Sequence, residues 1–344
     1  MNYSRQRTSV HKPSRGFSLV ELMIAMLLGL IIIGGAISVY LASKRSMTEG
    51  EQVAALSENG RFALQLISSS ARHIGFFGGA NPADIKEDAS LGGLATDCTG
   101  DAAAYNTRNA FFAVRAASAN VLGCITDAVP NTDVLVIKGI DPRPLYDGDP
   151  TDPNSPRDGI IDDLDSEEVY VISNAEGGIL LDGADTAPNV LEGADIPLGV
   201  AWPYRLQIYY ISDGVARNGG IPTLSRKILA WDSGSGAMDV ITQDLVQGVE
   251  NLRFLFGYDS ANAGEVDTLV SLDDMTAANA WNQVSSLEAF ILLRSDVVDP
   301  SYINDKTYQM GDIDVGPIGD NLRRILLHSQ IVMRNPRLVL RGGV

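Results

Sequence analysis

The sequence predicts an α+β protein, a long N-terminal helix followed by a strand-rich globular head, and three observations carry that prediction. A nearly uncharged apolar run lies close to the N-terminus, proline-free helical spacing comes after it, and short apolar stretches cut by Gly, Asp, Asn and Pro fill the remainder. Helix first and strands afterwards point to α+β with mainly antiparallel pairing. At 344 residues, with 45% hydrophobic and 20% charged side chains, the chain can bury a sizeable core. Its 43 acidic residues against 26 basic ones argue against a nucleic-acid binder, which needs clustered Lys and Arg to neutralise phosphate.

The first element is the apolar run. Residues 1–16 carry Arg5, Arg7, Lys12 and Arg15 and no acid, and residues 17–42 then hold a single charge, Glu21. A helix of about 20 apolar residues crosses the hydrocarbon core, so this segment is long enough to span it. The positive-inside rule keeps the basic leader in the cytoplasm and translocates the chain beyond the span. The run is too long for a cleaved secretory signal, whose apolar core is about 7–15 residues. An ordinary single-pass anchor accounts for the length but not for Glu21, since a charge at mid-bilayer costs about 2.5–3.5 kcal/mol and less at the interface.

The string Arg15-Gly16-Phe17-Ser18-Leu19-Val20-Glu21-Leu22-Met23 resembles the type III signal of type IV prepilins: a short basic leader, Gly, Phe, and Glu as the fifth residue after the Gly. The resemblance implies that prepilin peptidase cuts between Gly16 and Phe17 on the cytoplasmic side, that Phe17 is N-methylated, and that the apolar helix is retained. It also implies that Glu21 pairs with the terminal amine of a neighbouring subunit and sets the axial register of assembly. A desolvated pair of opposite charges attracts far more strongly than in water, while either ion alone is costly there.

Helical spacing resumes after Ser43-Lys44-Arg45-Ser46. Val53, Leu56, Gly60, Ala63, Ile67, Ala71 and Ile74 succeed one another at steps of three and four and define one face that should pack on the head. No proline lies between Pro13 and Pro82, so one helix is expected over about 18–74, with Gly75 and Gly78-Gly79 as its stop. The expected divisions are a leader at 1–16, a transmembrane part at 17–42, a periplasmic half of the helix at 43–78 and a head at 79–344. Within the head, strands are expected at 133–138, 168–173, 204–211, 224–231, 252–258, 287–294 and 325–333, with polar excursions at 141–168 and 296–321.

Four blocks narrow the resemblance. They are Glu58-Asn59-Gly60-Arg61-Phe62-Ala63-Leu64 with Gly75-Phe76-Phe77-Gly78-Gly79; Leu245-Val246-Gln247-Gly248-Val249-Glu250-Asn251-Leu252 with Leu255-Phe256-Gly257-Tyr258-Asp259; the stretch 284–295 ending Leu292-Leu293-Arg294-Ser295; and Arg323-Arg324 with Arg334-Asn335. Together they resemble the PilW-type minor pilins, whose members often carry a cysteine where this chain has Gly79. The resemblance implies a type IV pilin-like fold and an inner-membrane prepilin with a periplasmic head. That protein would help to prime pilus assembly in a minor-pilin complex at the pilus tip. Its implied partners are other minor pilins, the major pilin, prepilin peptidase, the assembly platform and a tip adhesin. A minor pseudopilin of a type II secretion system shares the first block. A membrane-anchored periplasmic hydrolase or binding module is the reading from another class.

Three further features bear on chemistry. Cys98 and Cys124 are the only cysteines, with no CxxC spacing and no adjacent His, so an oxidising compartment favours one structural disulfide. Asp147, Asp149, Asp152, Asp158 and Asp162 belong to a dense run of acids and offer the hard oxygens that Ca²⁺ prefers, though not at EF-hand spacing. A solvated acidic loop, broken up by Pro150, Pro153 and Pro156, is the favoured alternative. The turn from Asp259 to Asp267 is less suited to a metal, because Ala261 and Ala263 stand where relatives carry aspartates. With His11, His73 and His328 the only histidines, and no nucleophile-elbow or phosphate-loop motif, no enzymatic activity and no obligatory cofactor are expected.

Overall fold

The structure, a computed structural model, describes residues 16–152, 154–258, 266 and 268–333. The leader at 1–15, residues 259–265 with Asp267, and the Arg334-Asn335 pair lie outside the described residues. The chain divides into two compact units, Met1–Gln52 and Val53–Val344.

A proline-free sequence gives one helix, α1, over Leu19–Ala71. It ends in turns at 72–75, three residues before the expected stop, with Gly75 at φ +74° where a residue with a Cβ would be strained. In the first unit its apolar side chains are exposed, and an 18-residue window has mean hydropathy 2.6 with no buried residue. Length and composition suffice to cross a bilayer. In the second unit α1 buries Leu56, Gly60, Ala63, Leu64, Ile67 and Ala71. All but Leu64 lie on the face expected from spacing, and Val53, expected on that face, is exposed. Gly60 permits a close approach: a Cβ there would meet the Leu327 and Leu293 Cδ1 atoms, and those side chains would have to shift.

The head is built from strands. In chain order they are β1 Ile85–Glu87, β2 Phe111–Arg115, β3 Asp133–Ile140, β4 Val169–Ser173, β5 Gly178–Asp182, β6 Val200–Ser212 and β7 Thr223–Asp232. Then come β8 Ala237–Gln247, β9 Val249–Tyr258, β10 Thr268–Val270, β11 Val284–Arg294, β12 Tyr308–Met310, β13 Ile313–Val315 and β14 Arg324–Val332. A short helix, α2 over Leu272–Ala278, is capped by the Ser271 hydroxyl, which accepts from Asp274 N–H at 3.2 Å.

The larger sheet runs β1-β5-β4-β6-β3-β2, with β7 on β6 and β8 on β7. The second runs β10-β9-β11-β14, and β12 pairs only with β13. Among the described residues every strand pairing is antiparallel except β1 with β5. The α+β class and its antiparallel sheets are thus those the sequence predicts.

Alternation along the strands divides the core. From β3, Leu135 and Ile137 join α1, Tyr209, Ile211 and the inner residues of β9 and β11, while Val134 and Val136 join Phe77, Tyr204, Leu206 and Ile208. All eight residues of β3 are buried, as a strand covered on both faces must be.

The seven expected strands are present, most extended at one or both ends. The strands β1, β2, β5, β8, β10, β12 and β13, and helix α2, were not expected. The segment 296–321 is not a plain excursion. It folds into the β12–β13 hairpin, which buries Tyr308 and Met310 against Leu292. Among its described residues the segment 141–168 forms no strand; it meets the sheet through a bridge from Leu145 to Ala201, a hydrogen bond from Asp141 N–H to Pro203 O at 2.8 Å, and Ile161, which packs with Tyr170 and Ile172.

Candidate functional site

Two regions gather the residues singled out by sequence, the start of α1 and one end of the second sheet. At the start of α1, Ser18 is the helix cap. Its N–H donates to Glu21 Oε2 at 3.0 Å, and Glu21 N–H donates back to Ser18 Oγ at 3.2 Å. This reciprocal pair is a capping box, which satisfies two of the donors that a helix start leaves open. Gly16 and Phe17 precede it in non-helical backbone, and Phe17 is 88% exposed. Glu21 therefore has a local role that was not expected, although the Ser-x-x-Glu spacing signals it. Being satisfied within its own chain reduces the cost of holding a carboxylate near lipid.

The blocks of the head converge. Glu250 on β9 faces Arg324 on β14: Arg324 Nε donates to Glu250 Oε1, and its Nη2 donates to Oε2 at 3.2 Å. The same guanidinium forks onto Asp320 at 2.6 and 2.7 Å, and Arg294 at the end of β11 reaches Glu250 at 4.0 Å. The Arg324 side chain is 2% exposed. Beside it Ser295 N–H donates to Arg323 O at 2.8 Å, and Arg323 N–H donates back to Ser295 Oγ at 3.1 Å. The Arg323 guanidinium pairs with Asp299 at 2.8 Å and lies 4.4 Å from the centre of the Tyr302 ring. Gly248, at φ +84°, lets the chain turn from β8 into β9 while its carbonyl accepts from Arg294 N–H at 2.8 Å. Three blocks far apart in sequence thus form one ionic clamp across β9, β11 and β14.

The first block closes the other end of the helix. Phe77 is fully buried and its carbonyl accepts from Ser173 Oγ at 2.9 Å, while Phe76 meets Trp202 edge-on at 5.5 Å. Gly78, at φ +67°, lies so close to the Ser173 and Trp202 side chains that a Cβ would collide with both.

Cys98 and Cys124 form a disulfide, with Cα atoms 4.6 Å apart. The loop it closes is pinned from inside by Lys138, a fully buried residue of β3. Its Nζ donates to the carbonyls of Asp101, Ala103 and Asn106 at 2.6, 2.8 and 2.6 Å. Burial pushes this amine down to about 8, against the pull of Asp101, Asp97 and Glu87. A second buried charge, Asp133, accepts from Arg115 at 2.6 Å, Arg253 at 3.1 Å and Phe254 N–H at 2.9 Å, linking the two sheets. Neither Lys138 nor Asp133 stands out in the sequence, where each reads as an ordinary polar residue at the rim of an apolar run.

Four of the five aspartates expected as Ca²⁺ ligands accept hydrogen bonds from their own loop. Asp147 accepts from the N–H groups of Asp158 and Gly159 at 3.1 and 3.0 Å, and Asp149 from Thr151 N–H and Oγ1 at 2.7 Å each. Asp152 accepts from Asn154 N–H at 2.9 Å and Asp158 from Ile160 N–H at 3.0 Å. Asp149, Asp152 and Asp158 each close a local turn, whereas Asp147 ties the loop to Asp158 and Gly159 eleven and twelve residues on. Asp162 joins no such set, and among the described residues no group of three or more His, Cys, Asp or Glu is placed to hold a metal ion.

Two families match the sequence. Residues 11–37 match the prokaryotic N-terminal methylation motif, which covers the Gly16-Phe17 junction and Glu21. Residues 208–335 match the Type IV Pilus-assembly protein W family, a span that holds the whole ionic clamp. No curated protein and no solved structure gives a significant match. A methylation motif opening a long apolar helix, followed by a head of antiparallel sheets, is consistent with a type IV pilin-like fold. The two matches together support a PilW-type minor pilin of the type IV pilus, and the matched family is one of pilus components rather than of known enzymes.

Proposed function

We propose that this minor pilin primes pilus assembly as one member of a minor-pilin complex that ends at the pilus tip. It would be processed between Gly16 and Phe17, methylated at Phe17, and held in the inner membrane by 17–42 with its head in the periplasm. The observation that carries this reading is the joining of a methylation-motif helix to a large ionically clamped head. The helix supports packing into a filament core. The head exceeds what polymerisation requires, which supports a role in docking other minor pilins and presenting an adhesin.

The intact mass of the membrane-extracted protein, from a host with prepilin peptidase, tests the processing. We expect a chain that begins at N-methylated Phe17. A chain starting at Met1, or cut near residue 43, would overturn the proposal. In a deletion strain, lost twitching with intact secretion supports the pilus, whereas the converse result assigns the protein to a type II secretion system.

A further inference from the structure

A cleft beside the end of α1 is lined by a buried arginine donor that lacks an acceptor. It has about 320 Å³ of space between Ser69, Ser70 and His73 on one side and Arg205, Gln207 and Arg226 on the other. A second cavity of about 290 Å³ shares the same Arg205, Gln207 and Arg226. Among the described residues, Arg226 is the one arginine that is not exposed and has no carboxylate partner. The other covered arginines all reach one: Arg115 and Arg253 at Asp133, Arg205 at Glu168, Arg294 and Arg324 at Glu250, and Arg323 at Asp299. In a chain with 43 acids against 26 bases, an unmatched guanidinium in a cleft is not for want of acids.

The surrounding hydrogen bonds hold Arg226 without neutralising it. Its Nη2 donates to Gln243 Oε1 at 2.7 Å, its Nη1 only grazes Gln207 Oε1 and Tyr209 OH at 3.4 Å, and its Nε is buried with no acceptor. The Tyr209 ring lies 5.8 Å below the guanidinium and keeps it in place. Gln207 Oε1 also accepts from Ser70 Oγ at 2.5 Å and from Tyr209 OH at 2.9 Å, which fixes the amide orientation and leaves its NH₂ to donate. His73 is tied to its own helix through Nδ1 and Ser69 O at 3.0 Å.

We propose that this cleft binds a carboxylate, with Arg226 Nε and the Gln207 amide as its donors. A buried donor without an acceptor costs stability, and a planar guanidinium fork matches a carboxylate. Ile137, Ile140 and Pro142 add apolar wall for a short aliphatic stem. At the rim Asp141 and Glu168 are matched by Arg205 and Arg143, and Glu167 beside the second cavity disfavours a multiply charged anion. One unmatched positive charge fits a monoanion. The carboxylate belongs either to a free organic acid or to an acidic side chain of another protein. The site stands on its own geometry and does not depend on the priming role.

The test uses the full chain in neutral detergent, titrated with sodium butyrate, with the blocked residue Nα-acetyl-glutamate amide, or with sodium chloride at matched ionic strength. We expect a saturable rise in melting temperature with the carboxylates beyond that with chloride. A response to both favours a free acid, whereas a response to blocked glutamate alone favours a protein side chain. Arg226→Gln should melt no lower than the natural chain without ligand and should lose the response. Arg226→Lys should keep the charge and bind several-fold more weakly, having lost the fork. An equal response to chloride, an unchanged response in Arg226→Gln, or a melting temperature for Arg226→Gln several degrees below the natural chain would each overturn the proposal.

Discussion

Glu250 sits between two guanidiniums, and Arg324 sits between two carboxylates, so each charge in the clamp is tolerable only because its neighbours are present. A buried ion pair contributes little net stability over apolar side chains, but removing one partner strands the other charge. Arg324→Met should therefore cost about 3–5 kcal/mol, read by urea unfolding of the full chain in detergent. A cost under about 1 kcal/mol would show that water reaches Glu250 and Asp320 freely. The network also sets acid sensitivity. The hydrogen bond from Arg324 holds the Asp320 carboxyl below its ordinary value, and those from Ser301 and then Arg323 hold Asp299 down to about 2. A depressed acid binds fewer protons when folded than when unfolded, so its contribution is complete above about pH 4 and fades as pH falls toward 2. Arg324→Met should flatten the part of this acid limb that belongs to Asp320.

The disulfide loop shows what a single element gains from a cross-link. The 26-residue separation between Cys98 and Cys124 removes unfolded-state entropy of about 3 kcal/mol by the chain-entropy estimate. Reduction should lower the melting temperature by that much stability, and a Cys98→Ala, Cys124→Ala chain should match the reduced protein. The Lys138 tripod organises the folded loop but adds nothing to the unfolded-state constraint, so the reduced loop is expected to refold around it.

Burial decides which elements are legible in the sequence. Strands β3, β4, β6 and β9 carry continuous or alternating apolar residues and stand out unaided. Strand β8 does not, because Asp239, Thr242, Gln243 and Asp244 interrupt it; Asp239 anchors Thr96 and Asp244 receives Arg217 and Ser225. Those contacts come from distant parts of the chain, and no local pattern encodes them. The ionic clamp is half legible: its residues fall in separate sequence blocks, and only the β9–β11–β14 register brings Glu250, Arg294 and Arg324 together.

At the scale of the whole molecule, the apolar half of α1 has the length and composition to cross a bilayer while the head buries its own core, and Glu21 lies in the first turn of that helix. The capping box gives this residue a second role that can be separated from its charge. Glutamine also serves at the third position of a capping box, so Glu21→Gln keeps the local hydrogen bonds to Ser18 and removes only the charge. Ser18→Ala does the reverse, losing a cap typically valued at about 1 kcal/mol while the carboxylate stays. If Glu21 acts by pairing with a neighbouring terminal amine, Glu21→Gln should be inserted, cleaved and folded at normal levels yet be depleted from sheared pili. Ser18→Ala should still enter pili, with faster amide exchange confined to the first turn of α1. Immunoblots of membrane and sheared fractions decide between the two roles. Equal recovery of Glu21→Gln in pili would leave the capping box as the whole reason for a carboxylate at this position.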